Sequence, residues 1–149
     1  MHKWFFLLVF GVLLLQIGCG SGIRTNVKKG EIKNTIEGES IQKKFIETIG
    51  IGAADQGLEN ATQRKATSRN AAIVAAQYEM ISTIKGIALE GGVTIEKAME
   101  TDSKITATVN DTVKSAQIIK TEWTDDDGCV VTLRVSKKDL EEKMGMKFE

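Results

Sequence analysis

The sequence predicts an α+β domain in which a long amphipathic helix packs on a small antiparallel sheet. Residues 60–90 lack proline and repeat apolar side chains at helical spacing. Two apolar runs, residues 116–124 and 129–135, flank the turn sequence DDDG, which is typical of a β-hairpin. An extended run over residues 42–50, with Phe45, Glu47 and Ile49 on one face, predicts another strand. These observations favour a helix and a sheet that share one core.

The first strand, over residues 42–50, is followed by closely spaced glycines. Gly50 and Gly52 are expected to close the strand and to form a tight connection into the helix. Their spacing invites comparison with a dinucleotide-binding loop, but Asp55 stands where the third glycine belongs. A strand-to-helix connection is therefore the better interpretation.

The long helix is expected to begin at Asn60, which can cap it with Gln63 as a reciprocal partner, and to stop at Gly91–Gly92. One face should pack on the sheet, and its small alanines should permit a close approach. The expected core positions are Ile73, Gln77, Met80, Ile84 and Ile87, widened by Ala72, Ala76 and Ile81. Arg64, Lys65, Arg69 and Lys85 fall largely outside this face and are expected to be solvated.

The remaining elements are shorter. Alternation over residues 93–98 predicts a strand. Residues 101–116 fit both a strand and a helix, and the start Thr101-Asp102-Ser103 favours a short helix. A final helix over residues 137–144 is expected to be capped by Ser136 together with Asp139.

Composition limits the classes of function. The chain of 149 residues is long enough for one domain, and its 20 basic residues are balanced by 20 acidic ones, so nucleic acid is not an expected partner. The consecutive acids Asp125, Asp126 and Asp127 lack the alternating spacing of a calcium loop and are interpreted as a turn. No metal site and no dissociable cofactor are expected.

The N-terminus has the layout of an export signal. Lys3 supplies a positive charge, and residues 4–15 form an apolar stretch of 12 residues. A membrane-spanning helix needs roughly 20 apolar residues, so this stretch is short for one. Small residues follow it at Gly18, Cys19 and Gly20.

Cys19 and the residues before it resemble the bacterial lipobox. The resemblance implies diacylglycerol on the Cys19 sulfur, cleavage between Gly18 and Cys19 by lipoprotein signal peptidase, and acylation of the new amino group. Gln16 departs from the usual leucine three positions before the cysteine, while Leu15 lies one residue too early. The alternative is ordinary cleavage after Gly18 or Gly20, with Cys19 lost or left as a spare thiol.

Lipidation would divide the chain into a signal peptide (residues 1–18), a lipidated cysteine with a flexible tether (19–40) and a folded domain (41–149). Two or three acyl chains on one residue would hold the protein on a membrane. Gly20 in place of aspartate after the cysteine suggests sorting to the outer membrane, facing the periplasm or the cell surface. Cys129 would then have no disulfide partner and is expected to be a small buried residue.

A family resemblance rests on two stretches, "IGIGAADQGLENATQRKATSRNAAIVAAQYEMISTIKG" and "SAQIIKTEWTDDDGCVVTLRV". Together they resemble the twenty-kilodalton bacterial lipoprotein family (LPP-twenty-like), which is similar to the N-terminal domain of the flagellar protein FlgT. The resemblance covers roughly residues 42–140 and implies an α+β domain on a lipidated envelope protein. It carries no catalytic residues. Cys129 stands where the family commonly has an aromatic residue.

The expected function is structural rather than enzymatic. The only histidine, His2, lies in the predicted signal peptide, so the mature chain would lack the commonest general base. The favoured hypothesis is an envelope lipoprotein that binds a protein partner or itself, and the family resemblance suggests an envelope or flagellar assembly as its setting. The alternative is a periplasmic carrier of a lipid or small apolar ligand, with Phe45, Met80 and Trp123 lining a pocket. The plainer interpretation of these three residues is core packing.

Overall fold

A computed structural model describes residues 44–149 of the chain and confirms the predicted α+β fold. The predicted signal peptide, Cys19 and the tether lie outside the described residues. The described elements, in chain order, are β1 (Phe45–Gly52), α1 (Ala61–Lys85), β2 (Ala88–Leu89), β3 (Val93–Thr94), α2 (Ile95–Thr101), α3 (Ser103–Lys114), β4 (Gln117–Trp123), β5 (Cys129–Ser136) and α4 (Lys137–Met144).

The main sheet is antiparallel and has the strand order β1-β5-β4. In its register Ile46 lies opposite Val135, and Trp123 lies opposite Cys129. The predicted hairpin is therefore confirmed, and its second strand, β5, is the central strand of the sheet. An irregularity in β4 falls between Ile118 and Lys120.

The hairpin turn is not a two-residue Asp-Gly turn with a positive φ at both positions. Asp127 has a φ of 64°, whereas Gly128 is not among the residues with positive φ. The backbone N–H of Thr124 donates to the Gly128 carbonyl over 2.9 Å, so the loop comprises the five residues 124–128. Aspartate tolerates the left-handed region because its short polar side chain can bond locally.

The long helix α1 begins where the sequence predicts. The Asn60 side chain accepts a hydrogen bond from the Thr62 backbone N–H over 2.8 Å. The predicted end at Gly91–Gly92 is wrong, since the helix stops at Lys85 and Gly86 is its C-cap. Gly91 and Gly92 instead have φ values of 106° and 77° and turn the chain between β2 and β3. Their conformational freedom serves a small hairpin rather than a helix terminus.

The strand predicted over residues 93–98 is also wrong beyond its first two residues. Thr94 caps α2 by accepting a hydrogen bond from the Lys97 N–H over 3.4 Å. Ile95 and Ala98 are buried on one side of this helix, a spacing of three that the sequence alternation concealed. This N-cap favours a helix over the predicted strand. Glu96 adds to the effect because it lies in the first turn, where a negative charge is favourable.

The last two predicted helices are present. Helix α3 begins after Asp102, whose side chain accepts from the Lys104 N–H over 2.8 Å. Helix α4 has the predicted bounds, and Ser136 accepts from the Asp139 N–H over 3.3 Å. Leu140 of α4 is fully buried and joins the common core. Both helices therefore close the core beside α1 and β5.

The closest contact in the core lies between β1 and α1. A Cβ atom on Gly50 would lie 2.0 Å from the Ala72 carbonyl oxygen, and one on Gly52 would lie 1.9 Å from the Ser68 carbonyl oxygen. Both glycines lie within β1 rather than in a connection after it, which corrects the predicted role. Thr48 of the same strand donates to the Ala76 carbonyl over 2.8 Å. The strand thus packs against the backbone of the helix itself.

Replacing Gly50 with alanine should therefore force β1 and α1 apart. We expect Gly50→Ala to lower the free energy of unfolding by about 3 kcal/mol, since the clash is with backbone atoms that cannot rotate away. The measurement is urea unfolding followed by circular dichroism. Gly86→Ala is the matched control, because its Cβ would meet nothing closer than 3.6 Å and its φ is −74°. The control should be neutral or stabilising by up to about 1 kcal/mol. Equal effects of the two changes would contradict the close contact.

Candidate functional site

The residues of the predicted lipid site, Gly18 and Cys19, lie outside the described residues. The structure therefore bears only on the folded domain. Among residues 44–149, no helix is both long enough and apolar enough to span a membrane. The same residues contain no group of three or more His, Cys, Asp or Glu side chains placed to hold a metal ion.

Phe45, Met80 and Trp123, predicted to line a pocket or to pack in the core, lie in three different places. Met80 is fully buried in α1 and belongs to the core. Trp123 is partly buried and packs against that core from the helix-facing side of the sheet. Phe45 alternates with the buried Ile46 and lies on the opposite face of the sheet.

The two aromatic residues also lie at opposite ends of the sheet. Phe45 is paired with Ser136 and Trp123 with Cys129, the last and first residues of β5. Seven strand residues separate these positions by about 23 Å. The three residues therefore do not line one common pocket, and Met80 and Trp123 pack in or against the core.

Two basic residues near the start of α1, Arg64 and Lys65, contact the hairpin, which the sequence did not indicate. Arg64 forms an ion pair with Asp127 over 2.8 Å and donates to the Leu58 carbonyl over 2.8 Å. The Lys65 ammonium lies 5.6 Å from the centre of the Trp123 ring, within the range of a cation–π contact. Arg64 and Lys65 thus direct their positive charges toward the hairpin, although the Lys65 side chain is still 47% exposed.

Asp127 is the centre of this contact, and we call Asp127 with Arg64 and Ser68 the hairpin clasp. Its carboxylate accepts from the Arg64 Nε over 2.9 Å, and its backbone carbonyl accepts from the Ser68 hydroxyl over 2.7 Å. The side chains of Arg64 and Asp127 are only 22% and 19% exposed. Because the pair is largely shielded from water, its charge-assisted hydrogen bonds are stronger than those of an open surface pair.

The clasp predicts a graded response at Asp127. We expect Asp127→Ala to lower the free energy of unfolding by about 2 kcal/mol, because Arg64 loses its partner and alanine is strained at positive φ. Asp127→Asn should lose about half as much, since asparagine tolerates this φ and keeps an acceptor oxygen. Asp125→Ala, at an exposed position of the same loop, should change stability by less than about 0.5 kcal/mol. Urea midpoints would test the order, and equal losses at both positions would contradict the clasp.

Cys129 is fully buried on the helix-facing side of β5. Burial raises the pKa of its thiol, and the positive charge of Arg69 opposes this with a smaller lowering. The protonated thiol is not a nucleophile, and the side chain cannot be reached from solvent. Its position between β1 and β4 gives it the role of a small core residue, as the sequence predicts.

We expect the Cys129 thiol to react about a hundredfold more slowly with a disulfide reagent at pH 8 in the native chain than in urea, because the fold must open first. A Cys19→Ser background leaves this as the only thiol. Since the folded state holds the thiol proton more tightly, the contribution of Cys129 to stability falls as the pH rises above about 8.5. Cys129→Ala should remove that component of the pH dependence. Rapid labelling of native protein would contradict the burial.

The face of α1 that points away from the sheet is unusual. The helix buries Ser68, Ala72, Ala76, Met80 and Ile84 at intervals of four residues. Opposite them, Val74 is 64% exposed and Tyr78 is 76% exposed. Apolar side chains therefore lie on both sides of one helix, and only one side is covered by the described residues.

This exposed face also lacks charge. We call it the outward stripe, and its exposed members are Gln63, Thr67, Asn70, Ala71, Val74, Tyr78 and Ser82. A helix that meets only water normally carries charged residues on its outer face. Together with the half-buried Ala75 and with Glu79 at the edge, Asn70, Ala71, Val74 and Tyr78 line a shallow, open groove. An exposed apolar strip of this kind is typical of a contact surface.

Sequence reasoning missed the outward stripe, although the pattern that defines it is visible. Ala71, Val74 and Tyr78 follow one another at intervals of three and four residues, which is helical spacing. Only one apolar face was predicted for the helix, and Val74 and Tyr78 were given no role. A second apolar face is found only when each side of the helix is examined separately.

Comparison with protein-family models, with curated proteins and with solved structures found no match to this chain.

Proposed function

We propose that the protein is a lipid-anchored lipoprotein of the bacterial cell envelope whose folded domain binds another protein surface and catalyses no reaction. The observation that carries the interaction role is the outward stripe, because it leaves Val74 and Tyr78 exposed on a rigid helix. The attachment rests on the export signal and the lipobox-like residues ending at Cys19. The resemblance to the twenty-kilodalton lipoproteins supports the same location.

The binding role is supported by the rigidity of the surface. Helix α1 is held from beneath by the contact of its backbone with Gly50 and Gly52. Its first half is fixed by the hairpin clasp. A surface on a rigid element loses little conformational entropy when it binds, so a modest apolar area contributes more to affinity.

The proposal that the domain catalyses no reaction is supported by the state of two groups that could take part in one. Cys129 is buried with a raised pKa. Asp127 is engaged by Arg64 and Lys65 at 2.8 Å and 3.7 Å. A general acid or base must instead reach a substrate proton directly or through one water molecule.

The carrier hypothesis is less well supported than the binding role. It required Phe45, Met80 and Trp123 to surround one ligand. Phe45 and Trp123, however, lie on opposite faces and at opposite ends of the sheet. A buried ligand site is normally an enclosed apolar pocket. The grooved outward stripe is open and suits a flat partner surface better than a small molecule.

The address within the envelope follows from the same proposal. Diacylglycerol on Cys19 and an acyl group on its amino nitrogen would each contribute roughly 0.8 kcal/mol for every buried methylene group. Gly20 favours the outer membrane over retention at the inner membrane. An envelope or flagellar assembly is the setting that the family resemblance suggests.

Cys19→Ser tests the anchor. We expect the natural chain to incorporate radioactive palmitate and to remain in the membrane fraction, because the lipid is bound through the Cys19 sulfur. The Cys19→Ser variant should lose the label and appear in the soluble fraction. Cys129→Ser is the matched control and should be labelled normally, since that thiol is buried in the fold. Unchanged labelling of Cys19→Ser, or a mature N-terminus at a residue other than 19, would refute the anchor.

A further inference from the structure

We infer that the outward stripe is the contact between two copies of this chain, with the two α1 helices packed antiparallel about a two-fold axis between Val74 and Ala75. The inference rests on the proposed function, because it names the partner that the binding surface takes. A two-fold contact requires a self-complementary surface. The stripe meets this requirement in side-chain size, in spacing and in charge.

The sizes of the side chains match about the proposed axis. An antiparallel pair centred between residues 74 and 75 places Ala71 opposite Tyr78 of the second copy. It places Val74 opposite Ala75. Each large side chain therefore meets a small one, which is the condition for two helices to interlock. Both copies contribute the same two pairs, so the match is repeated on each side of the axis.

The spacing of the stripe agrees with helix pairing. Thr67, Ala71, Val74 and Tyr78 follow one another at intervals of four, three and four residues. These intervals place the four side chains on one side of the helix, where they form one continuous seam. Extended to Ser82, which lies opposite Thr67 in the antiparallel arrangement, the seam covers about 24 Å of helix.

The charges permit two copies to meet. The outward stripe itself carries none, so no like charges are brought together at its centre. At its edge Glu79 lies opposite Asn70 of the second copy, whose amide can donate to the carboxylate. The cations at the two ends of the helix, Arg64 and Lys85, already have carboxylate partners in Asp127 at 2.8 Å and Glu96 at 3.9 Å.

The same features disfavour a lipid surface as the occupant. A helix that lies on a membrane usually places Lys and Arg beside its apolar face, where they meet anionic headgroups. Here Arg64 and Lys65 are engaged by the hairpin turn and Trp123. A second copy needs no such charges.

Membrane attachment makes a small interface sufficient. One helix seam is shorter than a standard protein interface, which buries about 1,600 Å² in total. Copies that share one membrane meet at a raised effective concentration, so weak contacts become populated. A two-fold axis perpendicular to the membrane also keeps both chains at the same height above it.

The direct test is disulfide trapping of the full-length chain in its membrane, with copper–phenanthroline as oxidant. Two differently tagged copies are co-expressed, one carrying Ala71→Cys and the other Tyr78→Cys. We expect the mixed pair to cross-link at least about tenfold better than either variant with itself, since equal positions lie about 10 Å apart along the seam. Lys138→Cys, at an 81% exposed position on α4, is the control and should not cross-link.

The outcomes separate the possible occupants. Preferential linkage of each variant with itself would overturn the antiparallel arrangement. Linkage of both variants to a different protein, or no linkage at all, would overturn the second copy as the occupant. Loss of palmitate labelling with retained linkage between residues 71 and 78 would remove the anchor alone, whereas normal labelling without this linkage would remove the pairing alone.

A charge change at Asn70 gives an independent measurement that leaves the core untouched. Asn70→Lys would place an ammonium group opposite Glu79 of the second copy, and Asn70→Glu would place a like charge there. We expect the first to tighten dimerisation of the detergent-solubilised full chain by about two- to tenfold and the second to weaken it by a similar factor. Sedimentation equilibrium gives both constants, and circular dichroism checks the fold. Identical constants for the two variants would contradict the register.

Discussion

The contact between β1 and the backbone of α1 is the constraint on which the rest of the domain depends. Only a residue without a side chain fits at Gly50 and Gly52, because a Cβ atom would collide with helix carbonyl oxygens at about 2 Å. This contact sets both the distance and the rotation of α1 over the sheet. Once Ala72 and Ala76 face the strand, the side chains on the opposite side of the helix must face away from it. The outward stripe is therefore a direct result of how the helix is seated.

The same seating explains why two cations of α1, Arg64 and Lys65, contact the hairpin. The helix crosses the sheet so that its first half lies over the hairpin, where Asp127 engages Arg64 and Lys65. These two charges are therefore directed at the hairpin, whereas the outward stripe on the other side of the helix carries none. A surface of this kind favours apolar, self-matching contacts over electrostatic ones.

Much of the fold could be predicted from local chemistry. Asn60, Asp102 and Ser136 each cap a helix as their side chains predict, and the Asp127–Gly128 sequence marks the hairpin. Alternation failed over residues 93–98, because a short run of three or four apolar positions fits a strand and a single helical turn equally well. The glycines of β1 were misassigned for a different reason. Whether a glycine permits a turn or a close approach depends on what lies across from it, and the partner carbonyls are 16 to 22 residues away in sequence. The candidate surface was missed for a simpler reason, because only one apolar face was sought on a helix that has two.

The sheet order has a consequence for how the domain is made. β1 is the first described strand, and among the described strands it pairs with β5 alone, so Ile46 must pair with Val135, which lies 89 residues later in the chain. Closing such a long loop is slow compared with forming a helix or a hairpin. The central strand is also among the last elements to be synthesised. Helix α1 can form early, but β1, which carries Gly50 and Gly52, is not part of a sheet until β5 has been synthesised and has paired with it. Assembly of this domain is therefore expected to be a late, all-at-once event that a truncation before β5 would prevent entirely.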